Sequence, residues 1–315
     1  MLARVAESIY WMSRQVERAE NLARFLDVTC TLQLDQVDGA EGVWWPLVQI
    51  TADTERFQET HAIADQETVT HFLLFDRDYH SSILTCLMWA RDNARHTREV
   101  VSSEVYEAVN DLYQYVLAAS KNPQNLPDDF LVETRRLAIQ WTGVIESTMP
   151  RDLAWHFVNV GRLIERADKT SRMLDVKYFH LLPDAHPVGT AVDDLQWATL
   201  LKSCSGIEAY RQKHQFIDVE KVIDFFLFYE GFPRSVQHCL LTLESSLTKI
   251  ADASGRESAS ESLNAASEMI VNMNPMTAAD VIARGMHEFV NQLQIDLNAI
   301  GEGLHQDYFG HGQAA

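Results

Sequence analysis

A charged helical motif occurs twice in this chain of 315 residues, and the repetition limits the folds that the chain can adopt. The first copy is RQVERAENLARFLDV at 14–28, and the second is RLIERADKTSRMLDV at 162–176, 148 positions later. Eight of the 15 aligned positions are identical, where unrelated segments would share about one. A repeat of this quality predicts that the chain contains two similar halves.

Other segments repeat in the same order. The apolar stretch at 69–75 shares four of its seven residues with 222–228, now at an offset of 153. Because two repeats are too few for a solenoid, we expect two helical halves related by a pseudo-twofold axis. The predicted division is a first half at 1–125, a connecting helix at 126–150 and a second half at 151–315, all within one compact domain.

The composition favours helices. Only 13 glycines and 8 prolines are present, and strand-rich folds need many turns built from these residues. Apolar periodicity predicts helices at about 2–31, 43–61, 102–120, 128–147 and 195–214. A last helix should begin after Thr277 as N-cap, with Asp280 completing a capping box. We therefore expect an all-α, internally duplicated bundle of about ten to twelve helices.

Charge and cysteine content limit the partners and the compartment. The net charge of −19 opposes general binding to nucleic acid or to anionic lipid. The chain begins with a charged amphipathic helix, and no uncharged run approaches the length of about 18 residues that a membrane span needs. Its four cysteines form no C-x-x-C pair. We expect a soluble cytoplasmic protein with reduced thiols and no nucleic-acid or membrane partner.

The charged face of the motif helix is the candidate site. With 100° between successive residues, Arg14, Glu17, Arg18 and Asn21 fall within an arc of about 100°, opposite an apolar side. Three interpretations stay open: a solvated stripe, an ion-pair network that fixes the register of the halves, or a site for a carboxylate or phosphate. The candidate residues of both copies are Arg14, Glu17, Arg18, Arg24, Arg162, Glu165, Arg166 and Arg172.

Residues outside the motif are weaker candidates for a binding or catalytic site. Arg234 follows a proline at the start of a helix; it is a secondary candidate for an anion, although we expect it to be exposed. Cys86 and Cys239 lie on apolar faces and are expected to be buried thiols rather than nucleophiles. No histidine pair has metal-ligand spacing, and no phosphate loop or nucleophile elbow is present, so we expect neither a metal nor a cofactor.

Four segments carry a resemblance to a known family: YWMSRQVERAENLAR, GRLIERADKTSRMLDV, FLLFDRDYHSSI and FFLFYEGFPRSV. They closely resemble the alpha-E family, a bacterial all-helical family named for its Glu-Arg motif. The resemblance implies an association with a circularly permuted ATP-grasp ligase, often beside a transglutaminase-like protease or a proteasome-like hydrolase. One departure is that Arg234 has Ser81 as its counterpart in the first half.

The association with a ligase that the resemblance implies leads to one main functional hypothesis and two alternatives. The leading hypothesis is a non-catalytic partner of an ATP-grasp-type peptide or amide ligase, which stabilises the ligase or holds its acceptor substrate. The first alternative is an enzyme in which Glu17 and Glu165 supply acid–base chemistry and the arginines bind a small carboxylate, a phosphate or a peptide. The second is a purely structural homodimer.

Overall fold

A computed structural model of the protein describes residues 1–35, 44–51, 53–180, 191–256 and 259–310. Within these ranges the chain forms fifteen α-helices and one short π-helix, without any β-strand. The all-α prediction is therefore confirmed. The sequence also predicts loops at 34–42 and 180–194; most of both segments lies outside the described residues, and their described ends are helical.

The helices fall into two series, each of which begins with a long helix. The first series is α1 (Ala3–Asp35), α2 (Trp44–Thr51), α3 (Thr54–Thr60), α4 (Gln66–Leu74), α5 (Ile83–His96), α6 (Ser103–Ala119) and α7 (Phe130–Thr148). The second is α8 (Leu153–His180), α9 (Ala191–Ser203), α10 (Ile207–Lys213), α11 (Val219–Leu227), α12 (Val236–Ser254), α13 (Glu261–Met273), α14 (Ala278–Arg284), α15 (Met286–Leu304) and the π-helix His305–Phe309. In both series three short helices follow the long one; the internal duplication itself stays a prediction.

The described chain contains more helices than the ten to twelve predicted, because several predicted helices are interrupted. The segment 195–214 breaks at Ser205, whose φ of 53° lies in the left-handed region. The last helix ends at Gly285, whose φ of 104° suits only glycine, and α15 starts directly after it. The capping box of Thr277 and Asp280 forms as predicted.

The centre of the bundle is the contact between α1 and α8, with α5 packed against α1 and α12 against α8. Both long helices bury apolar side chains along their length, among them Ile9, Leu26 and Ile164. At the closest approach, a Cβ on Gly161 would overlap the Oγ of Ser13 and the carbonyl of Tyr10. Glycine is therefore required at position 161 for the two helix backbones to come this close.

Matching serines start the two helices that flank this pair. Ser82 accepts a hydrogen bond from the backbone N–H of Thr85 at the start of α5, and Ser235 accepts one from His238 at the start of α12. These N-caps fix where each flanking helix begins, and thus where the residues just before it lie relative to the central pair. No helix in the described ranges has the length and apolar character to cross a membrane.

The π-helix attaches the end of the described chain to the start of α13. The carboxylate of Asp307 is only 4% exposed and accepts hydrogen bonds from the backbone N–H groups of Glu261 and Ser262 at 3.1 and 3.0 Å. The hydroxyls of Ser260 and Ser262 donate to the same carboxylate at 2.9 and 2.7 Å. One side chain thus caps a helix 45 residues earlier in the chain.

We predict that Asp307→Ala lowers the free energy of unfolding by about 1–3 kcal/mol, because it leaves buried donors at the start of α13 without an acceptor. Urea unfolding followed by circular dichroism measures the change. Asp111→Asn, at an exposed position on α6, is the matched control and should shift stability by less than about 0.5 kcal/mol. Equal effects of the two substitutions would contradict the capping role.

Candidate functional site: the crossed arginine–glutamate cluster

Ion pairs cross between α1 and α8, so that each Glu-Arg motif pairs with the other copy. Glu165 accepts two hydrogen bonds from Arg18, Nε to Oε1 at 2.7 Å and Nη2 to Oε2 at 3.0 Å. Glu17 accepts two from Arg166, Nε to Oε1 at 2.8 Å and Nη2 to Oε2 at 2.9 Å. Both are bidentate guanidinium–carboxylate pairs, which are strong and directional.

Helix geometry explains why the pairs form between helices. Consecutive residues on a helix point about 100° apart, so the Glu and Arg of one motif do not face each other. Both side chains instead reach the neighbouring helix, which the Gly161 contact holds close. The Glu-Arg order in each copy then supplies one acceptor and one donor to the shared interface.

Each central carboxylate has further partners. Glu165 also pairs with Arg14 at 2.9 Å and with Lys169 at 3.5 Å. Glu17 also lies 3.4 Å from Arg234 and accepts a hydrogen bond from Asn21 at 3.1 Å. Its remaining partners thus differ from those of Glu165.

The difference follows a swap between the two halves. In the second half the residue before the N-cap serine is Arg234, which crosses to α1, whereas in the first half it is Ser81, which accepts a hydrogen bond from Arg18 at 3.3 Å. On the helices the second half again carries the cation, because Lys169 of α8 occupies the motif position that Asn21 occupies in α1. The second half thus supplies both extra cations, Arg234 to Glu17 from a loop and Lys169 to Glu165 from a helix.

The expectation of an exposed Arg234 is wrong. Its side chain is buried and donates to Asn21 at 2.9 Å and to Glu20 at 2.5 Å. The N-cap at Ser235 turns the chain so that the preceding residue lies over α1. Neither Glu20 nor Asp168 was a predicted site residue, although they occupy matching positions of the motif copies.

The remaining candidates form the outer parts of the same network. Arg24 pairs with Glu20 and also donates to Ser205 at 2.5 Å, while Arg172 pairs with Asp168 at 2.9 Å. Arg162 donates to Asn159 at 2.6 Å and lies 3.7 Å from Glu146. We use the name crossed cluster for Arg14, Glu17, Arg18, Glu20, Arg24, Arg162, Glu165, Arg166, Asp168, Lys169, Arg172 and Arg234.

The carboxylates of the crossed cluster are held ionised. Burial by itself would raise the pKa of Glu165, whose side chain is 0% exposed, but Arg18, Lys169 and Arg14 outweigh burial and hold that pKa well below its usual range. At Glu17 and Glu20, too, neighbouring arginines outweigh the effect of burial. They lower the pKa of Glu17, and they lower that of Glu20 to about 2. The network therefore consists of charged groups at neutral pH, and their burial is inconsistent with a solvated stripe.

Burial also raises the pKa of two thiols beside the cluster, Cys86 and Cys239, to about 12. Both side chains are buried, and neither takes part in a disulfide. A thiol with such a pKa carries almost no thiolate at neutral pH, so these cysteines are packing residues, as the sequence indicated.

A pocket of about 290 Å³ lies beside the cluster, between α1, α7 and α8. Its inner wall carries Glu17, Glu20, Arg166 and Arg234, and α7 supplies the opposite wall. The motif repeat did not predict the pocket, because α7 is outside both copies of the motif.

Comparison with known families agrees with this geometry. The model of the family Alpha-E, described as a predicted alpha-helical domain with a conserved ER motif, matches residues 1–309. This chain belongs to the Alpha-E family. The Glu-Arg pairs of the two motif copies, Glu17-Arg18 and Glu165-Arg166, are the groups that cross between α1 and α8.

Similar proteins occur in mycobacteria. An uncharacterized protein of Mycobacterium bovis is 24% identical to this Alpha-E chain, and one of Mycobacterium tuberculosis is 23% identical. Each match covers 94% of this chain but 35% of the relative, so the chain spans about a third of the length of these relatives. No solved structure matches the chain.

We predict that Glu165→Gln lowers the free energy of unfolding by about 3–5 kcal/mol, because the substitution leaves Arg18, Arg14 and Lys169 buried beside an uncharged amide. Urea unfolding of the purified variant measures this loss. Glu133→Gln, which removes the carboxylate from the exposed pair with Arg136, is the control and should leave the unfolding midpoint nearly unchanged. If Glu165→Gln changed the free energy of unfolding only slightly, the network would not be stabilising the fold.

The crossed cluster should also govern acid stability. The pKa values of Glu17, Glu20, Glu165 and Asp168 are lowered in the folded state, relative to about 4 in an unfolded chain. Their stabilisation is therefore complete above about pH 5 and is lost as the pH falls through the folded-state values, of which that of Glu20 is about 2. Unfolding in this range should take up protons, at about 1.4 kcal/mol per pH unit for each proton.

Urea unfolding of the wild type and Glu165→Gln between pH 7 and acid pH tests this dependence. We expect the free energy of unfolding of the wild type to fall more steeply with decreasing pH than that of the variant, since the variant lacks one of the titrating groups. Parallel pH dependences would contradict the assignment of the acid sensitivity to Glu165.

Proposed function

We propose that this protein is a non-catalytic helical partner of an ATP-grasp-type peptide or amide ligase in the bacterial cytoplasm. In this proposal it stabilises the ligase or holds the acceptor substrate of the ligase. The observation that carries the non-catalytic part is the state of Glu17 and Glu165, which are both ionised and bound to guanidinium groups. The link to the ligase rests on family membership and on the resemblance described above.

The alternative of an enzyme that uses these glutamates meets a chemical difficulty. A general acid or base works best when its pKa lies near the operating pH. The pKa values of Glu17 and Glu165 lie below the usual range, so these carboxylates hold no proton to donate at neutral pH and are weak bases. Their oxygens also accept hydrogen bonds from Arg166 and Arg18, which stabilises the ionised form and disfavours proton transfer to or from a substrate.

The same contacts favour a rigid platform. Separating α1 from α8 would leave several buried charges without partners, and the cost of this is several kcal/mol for each broken pair. We infer that the two halves arose by duplication and that the crossed pairs fix their register. A platform with a fixed register presents constant surfaces to a partner, which suits a subunit that positions another protein or its substrate.

The mycobacterial relatives support a role beside other protein parts. In each of them about two thirds of the chain lies outside the matched region, so there the Alpha-E-like region is joined to further polypeptide. We propose that in this protein the corresponding association is with the ligase. The alternative that the experiment below distinguishes from this association is a homodimer that binds no ligase.

We predict that the protein purified alone forms no amide product from ATP and amino acids, and that it co-purifies with the ATP-grasp ligase of its host. Adding it to the ligase should raise ligase activity or the soluble yield of the ligase. The measurements are affinity purification from the native host with identification of the bound proteins, followed by product assays with and without the protein.

Glu17→Gln provides the discriminating variant, with Glu133→Gln as the control at an exposed position. We expect Glu17→Gln to lower stability through the loss of the Arg166 pair. Turnover by the isolated wild-type protein, abolished in Glu17→Gln without loss of stability, would support the enzyme instead. Recovery of only a second copy of the chain from the host would support the homodimer.

A further inference from the structure

The pocket beside the crossed cluster has the composition of a small-molecule site. Its volume of about 290 Å³ is at the lower end of ligand pockets, which span roughly 300–1,000 Å³. It therefore suits one small molecule rather than a nucleotide or a long peptide. Apolar side chains cover much of its wall, including Val16, Ala138 and the half-exposed Ile139.

Opposite charges are fixed side by side on the inner wall. Glu17 and Glu20 are 4% and 3% exposed, and Arg234 is 8% exposed, with Arg166 beside them. The wall thus presents two carboxylates and two guanidinium groups, which balance each other. A ligand with a net negative charge would meet the carboxylates, and one with a net positive charge would meet the guanidinium groups.

Several polar groups of the wall have unused hydrogen-bonding capacity. The indole Nε1 of Trp141, a residue that is 1% exposed, has no hydrogen-bond partner within the part of the chain that the structure describes. Nη1 of Arg166 makes one long contact, at 3.5 Å, with the carbonyl of Pro233. The Trp141 indole N–H is itself shut off from water, so the Nη1 group of Arg166 is the donor of this wall that a ligand acceptor can reach.

We propose that this pocket binds a zwitterionic α-amino acid with a small apolar side chain. The carboxylate of the amino acid would accept hydrogen bonds from the Nη1 group of Arg166. Its ammonium group would donate to Glu17 and Glu20, and its side chain would lie against Val16 and Ala138. This inference rests on the proposed function, because it names the substrate class that a partner of an amide ligase would hold.

Glu146 at the rim does not alter this assignment. Its side chain is 38% exposed and pairs with Arg151 at 2.7 Å, so its charge is already compensated. The deeper charged groups, Glu17, Glu20 and Arg234, are those shielded from water, where electrostatic interactions are strongest.

Gly143 offers a way to close the pocket without disturbing the core. It lies in α7 and lines the pocket, and a Cβ added there would meet nothing within 4 Å. Gly143→Leu should therefore place a side chain over the opening while the helix stays intact, since leucine favours a helix more than glycine does. Gly143→Ala is the matched control, because it makes the same backbone change with little added volume.

The test is thermal unfolding and calorimetric titration of the full chain with L-valine or L-alanine. At about 100 times the Kd, a bound amino acid should raise the Tm by roughly 5 °C. We expect binding to the wild type and to Gly143→Ala, and binding at least about tenfold weaker to Gly143→Leu. N-acetyl-L-valine, which lacks the ammonium group, and L-valinamide, which lacks the carboxylate, should also bind at least about tenfold more weakly.

Three results would overturn the inference. They are the absence of binding by every amino acid tested, equal binding of the two blocked analogues or of inorganic phosphate, and unchanged binding in Gly143→Leu. The analogues are compared on the wild type, so they test the ligand class even if Gly143→Leu is unstable. Co-purification with the ligase is measured separately: if it succeeds while no amino acid binds, the pocket assignment fails and the partner role stands, and the reverse result rejects only the partner role.

Discussion

The exchange of ion pairs between α1 and α8 is the interaction on which the rest of the structure depends. Glu165 and Glu17 are removed from water, and each would be costly there without the guanidinium group supplied by the other helix. The adjacent Glu and Arg of one motif copy cannot pair with each other, because consecutive residues on a helix do not face each other. Each long helix therefore supplies charges that the other needs, and the flanking helices α5 and α12 pack against this central pair.

Glu17 and Glu165 both have an additional cation nearby, but residues at different places in the fold supply it. Arg234 reaches α1 from the loop before α12, whereas Ser81 stands at the corresponding place before α5. The missing cation is supplied by Lys169, which approaches Glu165 at 3.5 Å from within α8. Each central carboxylate requires positive charge and hydrogen-bond donors nearby. A side chain from a loop or from the helix itself can supply them.

The sequence predicted the features that depend on local pattern and failed where distant segments meet. Helix type followed from periodicity, and the Thr277 capping box from spacing, because both are decided within a few residues. The break at Ser205 and the burial of Arg234 depend on contacts across the fold, with Arg24 in one case and with Glu20 in the other. The motif copies drew attention to the cluster, but no periodicity relates them to α7, and the pocket wall was missed for that reason.

The close contact of Gly161 with Ser13 limits how the halves can be recombined. These residues directly precede the two motif copies and touch each other, so the space between the helices is shared by one serine and one glycine. A protein built from two copies of the first half would place two serines in a gap that admits one. A protein built from two copies of the second half would place two glycines there and leave the gap underfilled. The swap of Asn21 and Lys169 adds an electrostatic difference in the same sense. At this contact the two series of helices are therefore complementary in shape and charge, and they are not interchangeable.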